Sequence, residues 1–141
     1  MGFFNFGRKT KQPVAVETRR QPNLLERLCE GQPDLYSELT ASFMLRVNDI
    51  PPYEQLMARA DEAEKTNMSR ALEIYREAGS RALYDGNLDG VRGAFGRIKR
   101  ENGKYAVIAT HPEAAVAIAK AYYADPSVKR FMQPATPTKT R

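Results

Sequence analysis

Between residues 68 and 102 the chain reads MSRALEIYREAGSRALYD, then GN, then LDGVRGAFGRIKREN. Leu72, Tyr75, Ala78, Ala82 and Leu83 recur at helical spacing in the first stretch, and Leu88, Val91, Phe95 and Ile98 do so in the second. That spacing places each set on one face of an α-helix. Gly86 and Gly103 stand where the two helices should stop, because glycine readily takes the left-handed conformation that closes a helix. Two amphipathic helices joined by so short a link must fold back on each other. The rest of the chain then has to pack around this α-hairpin.

Other helices announce themselves by their ends. Asn23 is a suitable N-cap for LLERLCE, with Leu24, Leu25 and Leu28 on one side and Gly31 behind it. Asp34, after Pro33, can cap a second helix. Its apolar positions Leu35, Leu39, Phe43 and Val47 recur every four residues, with Tyr36 and Met44 beside them, so the spacing predicts a helix that continues almost to Pro51. Pro52 suits the start of a third helix carrying Tyr53, Leu56, Met57, Ala60 and Ala63, and Thr66 or Asn67 caps the strong helix that follows. KYAVIAT, from residue 104, is too short to assign. Thr110 or His111 then caps PEAAVAIAKAYYA, with Pro112 at its first position and Asp125-Pro126 at its end. No segment alternates with a period of two between hairpin turns. The expected class is therefore all-α: a small bundle of antiparallel helical hairpins over residues 23–132. Ahead of it come an aromatic and basic arm and linker over 1–22, and behind it a basic tail over 133–141, both expected to be disordered.

Several positions of the central hairpin form a recognisable order of small and large residues: Tyr75, Ala78-Gly79, Ala82, Gly86-Asn87-Leu88, Val91, Phe95 and Ile98. In this order the segment over 72–103 resembles a single tetratricopeptide repeat, a helix-turn-helix unit of about 34 residues. Ala82 and Val91 replace two of that motif's usual residues, Gly103 stands at its closing proline, and no second repeat precedes or follows. The resemblance implies a protein-binding groove on the first helix of the hairpin, at Arg76, Ser80, Leu83 and Tyr84. Leu83 is equally suited to the core. Arg76, Ser80 and Tyr84 are the expected partner contacts. Of Tyr122 and Tyr123 one should pack and one be exposed, and Tyr123 joins the partner contacts as the exposed aromatic beside the tail.

The net charge of +5 resides in the ends. Residues 1–20 carry +4, residues 126–141 carry +4, and residues 21–125 carry −3. A globular domain that reads nucleic acid is expected to have a basic face of its own. The one internal basic run is Arg92, Arg97, Lys99, Arg100 and Lys104, and Tyr105 lies beside it as a potential stacking group. This ridge supports an alternative function, sequence-independent phosphate contact by a nucleic-acid accessory protein. Its more ordinary explanation is a solvated helix face whose cations complement the helix dipole. Gly90, Gly93 and Gly96 recur every three residues in the same helix, but not with the G-x-G-x-x-G spacing of a phosphate loop, and close packing or local fraying explains them better.

No set of residues points to a reaction. Cys29 is the single cysteine, so a disulfide within the chain and a cysteine-rich zinc site are both excluded, and a reducing, cytoplasmic location is expected. Cys29 and His111 are the one conceivable nucleophile pair, without an orienting third group. Asp61, Glu62 and Glu64 lack metal-ligand spacing and histidine company. The expectation is a non-enzyme with no metal, no cofactor and no small-molecule substrate.

The chain begins MGFFNFGRKTK. The cations follow the apolar stretch instead of preceding it, which is the reverse of a secretory signal, and Phe6 stands where N-myristoylation wants Ser or Thr. Phe3, Phe4, Phe6, Arg8, Lys9 and Lys11 are instead an aromatic hook on a basic tether. It suits an anionic membrane surface, such as the inner face of a membrane, or a groove on a partner. The leading expectation is a helical adaptor or assembly subunit that binds another protein.

Overall fold

A computed structural model of the chain describes residues 23–44 and 46–132. The arm over 1–22, the tail over 133–141 and Leu45 lie outside the described residues. So do the expectations placed on them: disorder at both ends and docking through Phe3, Phe4, Phe6, Arg8, Lys9 and Lys11.

The described residues are all-α and contain no strand. In chain order the helices are α1 (Leu24–Leu28), α2 (Pro33–Ser42), α3 (Tyr53–Glu64), α4 (Met68–Asp85), α5 (Leu88–Asn102), α6 (Ala106–Thr110), α7 (Pro112–Ala124) and α8 (Pro126–Met132). A single 3-10 turn covers Val47–Asp49. Helix α4 is the spine, with α3 and α5 packed along it and α7, α2 and the 3-10 turn against its remaining sides. Tyr75, Leu83, Phe95, Leu35, Leu39 and Ile108 fill the centre with essentially no exposure.

The helix ends follow the capping residues. Asn23 accepts from the Glu26 N–H at 2.8 Å while Glu26 reaches back to the Asn23 N–H at 2.9 Å, a capping box on a helix of only five residues. Asn67 and Asn87 cap α4 and α5 by accepting from the backbone N–H groups of Arg70 and Gly90. Gly86 and Gly103 close the same helices at φ +73° and +79°. At α2, Gln32 rather than Asp34 occupies the N-cap, and Pro33 is the first helical residue.

The central hairpin closes where its smallest residue meets its largest. A β-carbon placed on Gly79 would lie 2.5 Å from the Phe95 ring, so only glycine permits this approach. The three glycines of α5 do not fray it, since the helix is continuous across them. Gly90 leaves room for the capping Asn87 side chain, Gly93 faces the Tyr53 hydroxyl, and nothing crowds Gly96.

Three segments differ from the sequence expectation. Helix α2 stops at Ser42, not near Pro51, and Phe43 is extended at ψ 141°. Phe43, Met44 and residues 46–50 instead lie along the side of α4. There the Ser80 hydroxyl donates to the Ser42 carbonyl, Arg81 donates to the Ile50 carbonyl at 2.8 Å, and the Tyr123 hydroxyl donates to the Met44 carbonyl and accepts from the Met44 N–H. Tertiary hydrogen bonds have replaced the helical ones, which overrides a four-residue period. KYAVIAT contains the short helix α6, and Asp125-Pro126 both ends α7 and starts α8, whose first turn Asp125 caps by accepting from the Ser127 N–H at 2.9 Å.

Candidate functional site

The four expected partner contacts have different fates. Ser80 is fully buried, its hydroxyl held by the Ser42 carbonyl and by the Arg76 carbonyl at 3.0 Å. Tyr123 is 7% exposed and packs edge-on against Tyr84 at 5.1 Å and beside Phe43 at 5.2 Å. Both are therefore corrected: they hold the chain's own Phe43–Ile50 segment and present nothing to a partner. Tyr84 is half-buried in the same aromatic group, with Arg81 over its ring at 5.9 Å. Tyr122, stacked on Phe43 at 4.7 Å, is half-buried as well, so neither of the paired tyrosines is freely exposed. Leu83 is core. Arg76, also half-buried, lines an open cleft.

The basic ridge is divided in a similar way. Arg92 pairs with Asp89 at 3.1 Å and with Glu113 at 3.6 Å. Arg97 is turned inward onto Glu64 and lies over the Tyr75 ring at 5.7 Å. The Tyr75 hydroxyl sits between two carboxylates, 2.5 Å from Asp61 and 2.9 Å from Glu64. Asp61 and Glu64, unpromising as metal ligands, thus anchor a polar bridge that ties α3 and α4 to α5. Of the five ridge cations only Lys99, Arg100 and Lys104 have no ion-pair partner among the described residues.

Burial pushes the Tyr75 hydroxyl well above the usual phenol range, and the Asp61 carboxylate reinforces it, while Arg100 opposes. Tyr123 is raised too, mainly by burial, with the Met44 backbone contact opposing. A raised folded-state pKa keeps both protons on the native protein after the unfolded chain has begun to lose its own near pH ~10. Their stabilising contribution is therefore complete below that pH and is lost as pH rises through the folded values. Each tyrosine should steepen the fall by about 1.4 kcal/mol per pH unit. Chemical denaturation at a series of alkaline pH values should show this slope, reduced in Tyr75→Phe and again in Tyr123→Phe.

One open cleft, of about 510 Å³, runs along α3 from Gln55 to Thr66, and an open junction centred on Tyr105 lies at the far end of the hairpin. This residue has φ +61° and ψ 30°, the only left-handed non-glycine among the described residues. A bulky side chain in that region costs about 1–3 kcal/mol, and such strain persists only where surrounding contacts impose it. Here the contacts are visible. The Tyr105 ring packs on Phe95 at 5.0 Å, and immediately after it the Glu38 carboxylate accepts from the Val107 and Ile108 N–H groups at 3.2 and 2.8 Å. Glu38, on α2, thereby caps α6, which has no side-chain cap of its own.

Two shallow clefts flank the half-buried Tyr105 ring. One, of about 390 Å³, lies between α2 and the loop, walled by Ser37, Ala41 and Gly103. The other, of about 180 Å³, lies between α4 and the end of α5, lined by Leu72, Glu73, Arg76, Ile98 and Asn102. Lys104 and Tyr105 border both. The structure therefore brings together Arg76, one of the expected partner contacts, with Lys104 from the basic ridge. Glu38, Asn102 and the strained backbone of Tyr105 were not foreseen. Nothing local signals them, because tyrosine seldom adopts this conformation and Glu38 acts across a large sequence separation.

Elsewhere, Cys29 is buried with its thiol pushed above the ordinary range by desolvation, and no hydrogen bond joins it to the exposed His111. No group of three or more metal-ligating side chains occurs among the described residues. No helix among them is long and apolar enough to cross a membrane. Among the described residues Phe131, on α8 beside Lys129 and Arg130, is the one strongly exposed large apolar side chain, at 71%. Compared with known proteins, the chain matches no protein family, no curated protein and no solved structure.

Proposed function

We propose that the protein is a non-enzymatic helical adaptor that binds another protein at the Tyr105 junction. The observation that carries this reading is the strained, half-exposed Tyr105 between two clefts. Strain maintained by a rigid support is a common attribute of recognition sites. The neighbouring side of α4, where the tetratricopeptide resemblance would put a ligand, is covered by the Phe43–Ile50 segment, so docking is assigned to the end of the hairpin. The basic, phenylalanine-bearing arm supplies a second attachment, to a membrane surface or to the partner.

A phosphate-binding role is less well supported. With Arg92 and Arg97 engaged by acids, three cations remain on the ridge, and Glu101 lies among them. Three phosphate contacts would give a salt dependence of only about −2 to −3 in log–log slope, well below that of tight nucleic-acid binders.

A photocrosslinking side chain at Ser37, introduced into the full-length chain in its native cell, tests the adaptor reading. A discrete protein adduct formed from Ser37 and absent from the exposed Lys120 is the expected result. Equal adducts from both positions, or none from Ser37, would refute it.

A further inference from the structure

The two clefts at Tyr105 are unbalanced in a way that specifies their ligand. Each acid that lines a cleft already has a partner: Glu73 pairs with Arg70 at 3.4 Å, and both oxygens of Glu38 accept from the α6 backbone. The cations do not. Neither the Arg76 guanidinium nor the Lys104 ammonium has an ion-pair or hydrogen-bond partner among the described residues. The Asn102 side-chain Oδ1 accepts from the Lys104 backbone N–H at 3.0 Å, and the Asn102 NH₂ has no described acceptor. The Tyr105 hydroxyl likewise has no described hydrogen-bond partner. The smaller cleft thus presents Arg76, Asn102, Lys104 and Tyr105 as donors without a described acceptor, beside apolar Leu72 and Ile98 and the Arg70-paired Glu73.

From this charge complementarity we infer that the junction takes an extended acidic segment of a partner protein. Its carboxylates meet Arg76 and Lys104, and its apolar side chains lodge against Ala41 and Gly103 on the other side of Tyr105. Carboxylates suit this rim because a planar guanidinium and an ammonium complement them with charge-assisted hydrogen bonds. An extended chain suits the shape, because its side chains alternate in direction and can enter clefts on either side of one ring. This assignment rests on the protein-binding role proposed above.

A displayed random dodecapeptide library, selected on the full-length protein and on an Arg76→Glu/Lys104→Glu variant, tests the chemistry. Both substituted residues reach solvent, and circular dichroism of the variant verifies its fold. Peptides selected on the unaltered protein should be enriched several-fold in Asp and Glu. A synthetic peptide from that pool should bind the variant at least roughly tenfold more weakly. It should bind Lys99→Ala/Arg100→Ala within about twofold of the unaltered protein. Selected peptides without acidic enrichment, yet lost on a cleft-filling Ser37→Trp substitution, would overturn the acidic assignment and leave the adaptor role standing. Acidic enrichment that persists on the charge-reversed variant would overturn the site. No selectable peptide, together with oligothymidylate binding that Arg76→Glu/Lys104→Glu abolishes, would overturn both readings. Self-association abolished by the same variant would replace the partner protein with a second copy of the chain.

Discussion

Phe95→Ala should lower the stability of the full-length chain by about 4 kcal/mol, within the range for deleting a buried aromatic ring. The ring has no exposure, lies against Gly79 on one side and packs on Tyr105 on the other. Its loss would leave a cavity at the point where α4, α5 and the strained loop meet. Since single domains rest on about 5–15 kcal/mol in total, such a variant stands near the limit of folding. Gly79→Ala approaches the same contact from the opposite side. Its β-carbon would overlap the ring, which is fully enclosed and has little space into which to retreat, so a loss of about 1–3 kcal/mol follows from overpacking. Urea denaturation gives both values. A Phe95→Ala loss below about 1 kcal/mol would mean that the hairpin contact is not central to the fold.

Arg97→Ala is the second large effect, with an expected loss of about 2 kcal/mol. The guanidinium covers the Tyr75 ring and pairs with Glu64 in a partly buried setting. Without it, two carboxylates converge on one phenol that has a single proton to donate. Arg97→Lys should retain the charge and lose the planar stacking, giving an intermediate result. Adding Glu64→Gln to Arg97→Ala should recover part of the stability, because the uncompensated acid is what costs most. A loss below about 0.5 kcal/mol would mark an ordinary surface pair instead.

The features legible in the sequence are those governed by local chemistry. Asn23, Asn67 and Asn87 cap helices through their own side chains, Gly86 and Gly103 stop them, and Pro112 starts one, so the all-α class and most helix boundaries could be read directly. What escaped depends on partners distant in sequence. Phe43 and Val47 keep helical spacing with Leu35 and Leu39, yet Ser80, Arg81 and Tyr123 draw the segment after Ser42 out of helix. The same contacts bury Ser80 and Tyr123, which had the composition of a binding surface. Arg92 and Arg97 belong to a run of cations in the sequence, but Glu113 and Glu64 reach them from other helices. Of the candidate site, Arg76 was visible as an expected partner contact and Lys104 as the end of the basic run. Their convergence about Tyr105 follows from the left-handed turn after Gly103, which glycine predicts at one residue and nothing predicts at the other.

Within the described residues, ion pairing engages many of the cations. Most cations within residues 46–97 are held by acids on the same or a neighbouring helix, as with Arg46 and Asp49, Lys65 and Glu62, and Arg81 and Asp85. Pairs of this kind add little stability individually. Their larger consequence is electrostatic, since pairing of Arg70, Arg81, Arg92 and Arg97 on α4 and α5 leaves Arg76 and Lys104 unengaged beside Tyr105, where the proposed acidic partner would settle.

The most direct measurement of the central claim is the dependence of crosslinking on position. With a photocrosslinker placed in turn at Ser37, Lys104, Ala58 and Lys120 of the full-length chain, Ser37 and Lys104 should yield the same protein adduct and the other two none. Adduct yield that is uniform across the four positions, or greatest at Ala58 on the outer side of α3, would contradict docking at the Tyr105 junction.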